Sequence, residues 1–154
     1  MKLNEVITSD KVDFSEIPPE YFLIGLLSAF ENRFQTIADN TMKEISWKQF
    51  FAIICISFCK EPPTINDLAE ILGSSHQNVK QILLKLEKKG FIKFQEDKQD
   101  KRKQRIILTK ACLKFCENNN QASSQIMQKM FQGIPEKDIK ATIKTIIRMD
   151  ENLK

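Results

Sequence analysis

The sequence predicts a mainly α-helical chain interrupted by one small antiparallel β-hairpin. Three observations carry that expectation. Apolar residues recur at helical spacing over most of the 154 residues. Two short helical stretches between Thr64 and Gly90 each begin at a side chain suited to capping, with a glycine between them. After Gly90 the apolar period shortens to two, and past Thr109 it becomes helical again.

Residues 1–17 show no strong period and are expected to form a loose or docking arm. Pro18-Pro19 suits the first turn of a long helix, where an amide hydrogen would lack a partner anyway. Leu23, Leu27, Phe30, Phe34, Ile37 and Thr41 are spaced 4, 3, 4, 3 and 4 apart, a continuous seam. Such a seam can pack on its own domain or on another subunit. Ser46 can cap a second helix from Trp47 to about Cys59. Its apolar residues (Phe50, Phe51, Ile53, Ile54, Phe58) lie nearly all round it, the pattern of a buried helix. Glu61-Pro62-Pro63 ends that helix, because proline pushes its predecessor out of the helical region.

In the segment TINDLAEILGSSHQNVKQILLKLEKKGF, Thr64 and Asp67 have the spacing of a capping box. Ile65, Leu68, Ala69 and Leu72 then give a short amphipathic helix. Gly73 supplies the turn, where positive φ can be needed. Ser75 can cap the next helix, with Val79, Ile82, Leu83 and Leu86 on its buried face, and Gly90 stops it. In FIKFQE and RIILT, Ile92 with Phe94 and Ile106 with Leu108 alternate with other residues, so these read as paired strands. The charged run beginning at Asp97 forms the loop between them. One more helix is expected from Thr109 to about Phe131, with a polar patch, NNNQASSQ, interrupting its apolar pattern. The last is expected from Pro135 to about Leu153. The chain thus divides into an arm and helix over residues 1–45, a central segment over 46–109, and terminal helices over 110–154.

Net charge is only +4, but it is unevenly placed. From Thr64 to Lys110 there are 11 Lys and Arg against 6 Asp and Glu; elsewhere there are 13 against 14. A local basic field on a near-neutral body is the electrostatic footprint of nucleic-acid binding. The longest apolar run, FFAIICISFC, is too short to span a bilayer, and the start lacks the apolar stretch of a secretory signal. A cytoplasmic chain with no membrane partner is expected. No nucleophile–base motif, phosphate loop or paired-carboxylate pattern stands out, so neither an enzyme nor a cofactor is expected.

Two helices joined by a short glycine-containing turn are a helix-turn-helix, and a following hairpin makes it a winged helix. Its second helix would enter the DNA major groove. There Ser75, His76, Gln77, Asn78, Lys80, Gln81 and Lys85 lie off the buried face. Amides can pair with adenine edges, and lysines can reach guanine or phosphate. In the hairpin loop, Arg102 can enter a minor groove, where narrow A·T-rich sequence concentrates negative potential. Asp100 can hold its guanidinium by a bidentate pair. Lys98, Lys101, Lys103 and Arg105 are expected as phosphate contacts.

Asp100-Lys101-Arg102, followed after five residues by Leu108-Thr109, resembles the DxR…LT wing signature of the multiple-antibiotic-resistance repressor (MarR) family. LAEILGSSHQNVKQILLKLEKKGFI (residues 68–92) is similar to that family's helix pair. The resemblance covers residues 46–109 in motif and roughly 20–153 in layout. It implies a homodimer with interlocking terminal helices, a double-stranded, pseudo-palindromic DNA operator, and a repressor relieved by a small apolar or aromatic effector. One departure is Phe94, where the family commonly has arginine.

Cys55/Cys59 and Cys112/Cys116 are i, i+4 pairs. Their Cβ atoms on a helix would lie about 5–6 Å apart, against roughly 3.5–4.5 Å in a disulfide. Core packing is therefore the expected role, with no metal site. The competing readings are a thiol- or metal-responsive sensor on the same fold, and a winged helix that binds protein rather than DNA.

Overall fold

The computed structural model describes residue 14, residues 16–97 and residues 99–154. Most of the arm expected over residues 1–17, and Lys98 of the expected wing, lie outside the described residues. In chain order the elements are α1 (Pro19–Met42), α2 (Trp47–Phe58), α3 (Ile65–Ile71) and α4 (His76–Lys88), then β1 (Ile92–Glu96) and β2 (Gln104–Leu108), then α5 (Lys110–Met130) and α6 (Glu136–Glu151). They form two compact units, Met1–Lys114 and Phe115–Lys154. The first holds α1 to α4, the hairpin and the opening turn of α5. The second holds the rest of α5 and α6.

The element starts follow from local hydrogen bonding. Ser46 Oγ accepts the Gln49 N–H at 3.3 Å while Gln49 Oε1 accepts the Ser46 N–H at 3.0 Å, a reciprocal capping box. Thr64 and Asp67 do the same at 3.2 and 2.8 Å. Ser75 Oγ accepts the Asn78 N–H and so opens α4. The stops are equally specific. Gly73 (φ +57°) and Gly90 (φ +72°) follow the last residues of α3 and α4 in the left-handed conformation. Around Gly90, the Gly90 N–H reaches the Glu87 carbonyl and the Phe91 N–H the Leu86 carbonyl. That pairing satisfies carbonyls a helix end leaves open, and Gly73 and Ser74 repeat it on Glu70 and Ala69.

The core of the first unit lies where α2, α3, α4 and the hairpin meet. Ala52, Ile53, Leu68, Val79, Leu83, Leu86 and Ile106 are all buried there. The strands pair antiparallel with Ile92 opposite Leu108 and Phe94 opposite Ile106, which puts these four on one face, with Ile107 opposite Lys93 on the other. Phe94, the departure from the family pattern, is half-buried on that apolar face.

One expectation is corrected. α2 is not buried all round: Phe51 is 40% and Phe58 84% exposed, seven residues apart on one line of the helix. The α1 seam, expected to pack on its own domain or on another subunit, is not the side this chain buries. Burial falls on Phe22, Ala38 and Met42, while Phe30 and Ile37 on the seam are exposed. The polar patch in α5, by contrast, does not break the helix. Asn119 turns its amide back to the Phe115 carbonyl at 2.9 Å, within the helix's own turn. Among the described residues no helix is long and apolar enough to cross a membrane.

The α4 register makes a sharp test. Leu83 is fully buried and Leu84 beside it is exposed. Leu83→Ala is expected to lower stability by about 2–5 kcal/mol, and Leu84→Ala by less than about 0.5 kcal/mol. Urea unfolding of both variants checks this; equal losses would contradict the helix orientation.

Candidate nucleic-acid interface

The face of α4 opposite its buried residues carries the candidate base-reading side chains. Ser75, His76, Gln77, Asn78, Lys80, Gln81 and Lys85 are all exposed. They do not all look the same way. His76 borders an open cleft of about 310 Å³ between the starts of α3 and α4 and the wing, together with Asn66, Lys101, Arg102 and Lys103. Asn78, two residues on and so about 200° round the helix, borders a different cavity. Its amide donates to Ser74 Oγ at 2.8 Å. Gln77, Gln81 and Lys85 follow one another at i, i+4 along the exposed side between these limits.

The hairpin loop is folded by its own carboxylates. The Asp97 N–H reaches the Lys103 carbonyl at 3.0 Å, and the Lys103 N–H reaches the Asp100 carbonyl at 2.8 Å. Asp97 Oδ1 accepts the N–H groups of Gln99 (2.8 Å) and Asp100 (2.9 Å). At the tip, Asp100 Oδ1 accepts both the backbone N–H and the Nε–H of Arg102 at 3.1 Å, with Nη2 at 3.5 Å from Oδ2. The expected clasp therefore exists, and it leaves the Arg102 side chain 91% exposed. Lys101 and Lys103 flank it and are also exposed.

Arg105, expected among the outward cations, is engaged by the protein itself. Its Nε–H donates to Asp97 Oδ2. Its Nη1 donates to the Pro62 carbonyl at 3.0 Å and lies 3.9 Å from Asp67 Oδ2. The electrostatics follow these contacts. The Arg105 hydrogen bond, then the Asp100 and Gln99 amides, hold the Asp97 carboxyl down to about 2. Arg102 holds Asp100 below the ordinary carboxylate value, and the Thr64 amide does the same for Asp67. Asp97 and the Pro62 carbonyl did not emerge as functional groups from the sequence. One signal was present, since an aspartate opening a loop commonly accepts the next amides.

Elsewhere in the first unit, α1, α2 and the α3–α4 turn enclose a cavity of about 490 Å³. Phe34 meets Trp47 edge-on with ring centres 4.6 Å apart, and Trp47 stacks on Phe51 at 5.7 Å. Cys55 and Cys59 are free thiols. Cys59 donates to the Cys55 carbonyl at 3.3 Å, and burial, then the neighbouring Cys59, pushes the Cys55 thiol up. Among the described residues no three His, Cys, Asp or Glu side chains cluster closely enough to hold a metal.

Fold and surface together define a winged helix-turn-helix domain. Residues 45–103 match the model of the MarR family. Solved structures agree in fold. A MarR/EmrR family transcriptional regulator from Acinetobacter sp. ADP1 superposes with a TM-score of 0.77 at 16% identity, covering 89% of this chain and 98% of that one. Staphylococcus aureus MepR, solved as a complex with DNA, gives 0.76 at 21% identity over 89% and 100% of the two chains. The transcriptional regulator BldR from Sulfolobus solfataricus gives 0.75 at 16% identity over 87% and 98%.

The Asp97 shift fixes a pH dependence. Its carboxyl falls from an ordinary 3.8 to about 2 on folding, so its contribution is complete above the unfolded value and lost as pH falls through the folded one. Asp97→Asn is therefore expected to be less stable than wild type at pH 7, with the gap closing between about pH 4 and pH 2. Thermal melts across that range check it; a gap independent of pH would contradict the assigned ion pair.

Proposed function

We propose that this chain is a sequence-specific DNA-binding transcriptional regulator, acting in the cytoplasm as a homodimeric repressor that a small molecule releases. The observation that carries the reading is Arg102, clasped by Asp100 and projected at the wing tip beside the exposed face of α4. A preorganised arginine in that position suits a minor groove, while Gln77, Lys80, Gln81 and Lys85 suit the adjacent major groove. Lys98, Lys101 and Lys103 serve as phosphate contacts, and the basic excess of residues 64–110 supplies the field. The similarity of fold to MepR in its DNA complex supports the same docking mode.

The terminal regions supply the dimer. α6 has no buried residue, yet Ile143, Ile146 and Ile147 are exposed along it, and Ile24 and Ile37 are exposed on α1. We assign residues 1–45 and 110–154 to dimerisation and 46–109 to DNA. A two-fold dimer implies a pseudo-palindromic operator with half-sites about one helical turn, roughly 10 bp, apart. The cavity walled by Phe30, Phe34, Trp47 and Phe51 suits an apolar or aromatic effector. At Cys55 the thiol-sensor alternative is disfavoured by burial, which pushes that thiol up, because the thiolate is the reactive form.

Selection from a random DNA pool, followed by affinity measurements on the selected site, tests the reading. Arg102→Ala is expected to weaken binding by about 1–3 kcal/mol and to relax sequence preference under the wing. Each phosphate-contact lysine removed should instead lower the salt slope by about one. Unchanged affinity in Arg102→Ala would overturn the wing assignment, and a pool that yields no selected sequence would overturn DNA binding.

A further inference from the structure

We propose that Arg105 is a positioning residue of the wing: through Asp97 it fixes where Arg102 stands relative to α3 and α4. This rests on the DNA-binding reading above. A hairpin of two five-residue strands has little stiffness of its own, so the tip can hold a defined place only if its base is tied to the helical body. Among the described residues, two hydrogen bonds tie that base to the loop after α2. One is backbone, from the Ile106 N–H to the Pro63 carbonyl at 2.9 Å. The other is the Arg105 guanidinium on the Pro62 carbonyl.

From Arg105 the contacts continue outward without a gap. Its Nε–H holds one oxygen of Asp97, and the other oxygen of Asp97 accepts the Asp100 N–H. Asp100 in turn clasps Arg102. Orientation is thus passed from Pro62 to the tip by directional bonds at each step. The alternative role, a phosphate contact, fits poorly. Arg105 is 30% exposed against 91% for Arg102, and two carboxylates, Asp97 and Asp67, already lie within 4 Å of its guanidinium. A cation so neutralised offers a phosphate little net attraction.

Lysine at this position separates the two roles. It keeps the charge, but its ammonium is a point donor that cannot reproduce the planar fork linking Asp97 to Pro62. The backbone tie at Ile106 remains in every variant, so the domain is expected to fold. The experiment uses the full chain and the DNA site selected with it. Arg105→Lys and Arg105→Ala should each weaken binding about tenfold, and neither should weaken it further in an Arg102→Ala background. Asp97→Asn should repeat the pattern. Full rescue by lysine, or losses that add to that of Arg102→Ala, would overturn the proposal in favour of a phosphate contact.

A second readout needs no DNA. Trypsin cleavage after Lys101, Arg102 or Lys103, followed by mass spectrometry on the folded protein, should be faster in Arg105→Lys than in wild type. Equal rates would overturn the positioning role. If the wild-type chain selects no DNA, the DNA-binding reading fails by itself, and cleavage still decides whether Arg105 orders the wing.

Discussion

A β-hairpin is held in shape by what it packs against, because two short strands alone are marginal in water. In this chain the packing is supplied at one end only. Ile92 and Ile106 are buried against the helices, and Ile106 and Arg105 bond the loop that follows α2. Toward the tip the side chains become charged and exposed, and order there depends on Asp97 and Asp100 accepting amide and guanidinium hydrogens. The loop contains no proline to restrict it, so carboxylate hydrogen bonding supplies the restraint. The same carboxylates set the charge pattern: Asp97 neutralises Arg105 at the base, while Asp100 orients Arg102 and leaves it exposed.

The helix-turn-helix obeys a parallel constraint. Val79, Leu83 and Leu86 lock the rotation of α4, so every other residue on it has a fixed outlook. His76 faces the wing-side cleft and Asn78 the aromatic cavity. In the proposed reading this matters for regulation. Ser74, Asn78 and Ile82 border the space an effector would fill, and the first turn of α4 is also the part nearest the bases. A ligand that prefers one placement of that turn must change DNA affinity, and DNA must change ligand affinity by the same factor.

Much of this was legible in the residues. Ser46, Thr64 and Ser75 marked helix starts because their hydroxyls can accept an amide three residues on, and each does so. The switch to period two after Gly90 gave the strands, since a half-buried hairpin must alternate. Three features were not legible. The α1 seam and the α2 girdle had the right spacing for burial, but periodicity reports which side is apolar, not whether this chain covers it. The partner of Arg105 was hidden because Pro62 is 43 residues away and contributes only a backbone carbonyl. The divergence of His76 and Asn78 needed the surroundings of α4, which sequence spacing alone does not contain.

In the proposed reading, the uncovered apolar residues bear on the symmetry of the DNA site. Ile139, Ile143, Ile146 and Ile147 recur at helical spacing on α6, and none is buried. An isolated 16-residue helix gains little from its own hydrogen bonds, whereas each Å² of such surface removed from water contributes about 25 cal/mol. A second copy carries the same stripe, and a two-fold axis lets each stripe meet the other with a self-complementary surface. In the proposed homodimer that axis would also relate the two copies of α4 and the two wings. Joining the two winged helices makes the second DNA contact intramolecular, so affinity rises without any new kind of bond. In the proposed reading, a pseudo-palindromic operator then follows from where this chain leaves its isoleucines, as much as from the residues set against the bases.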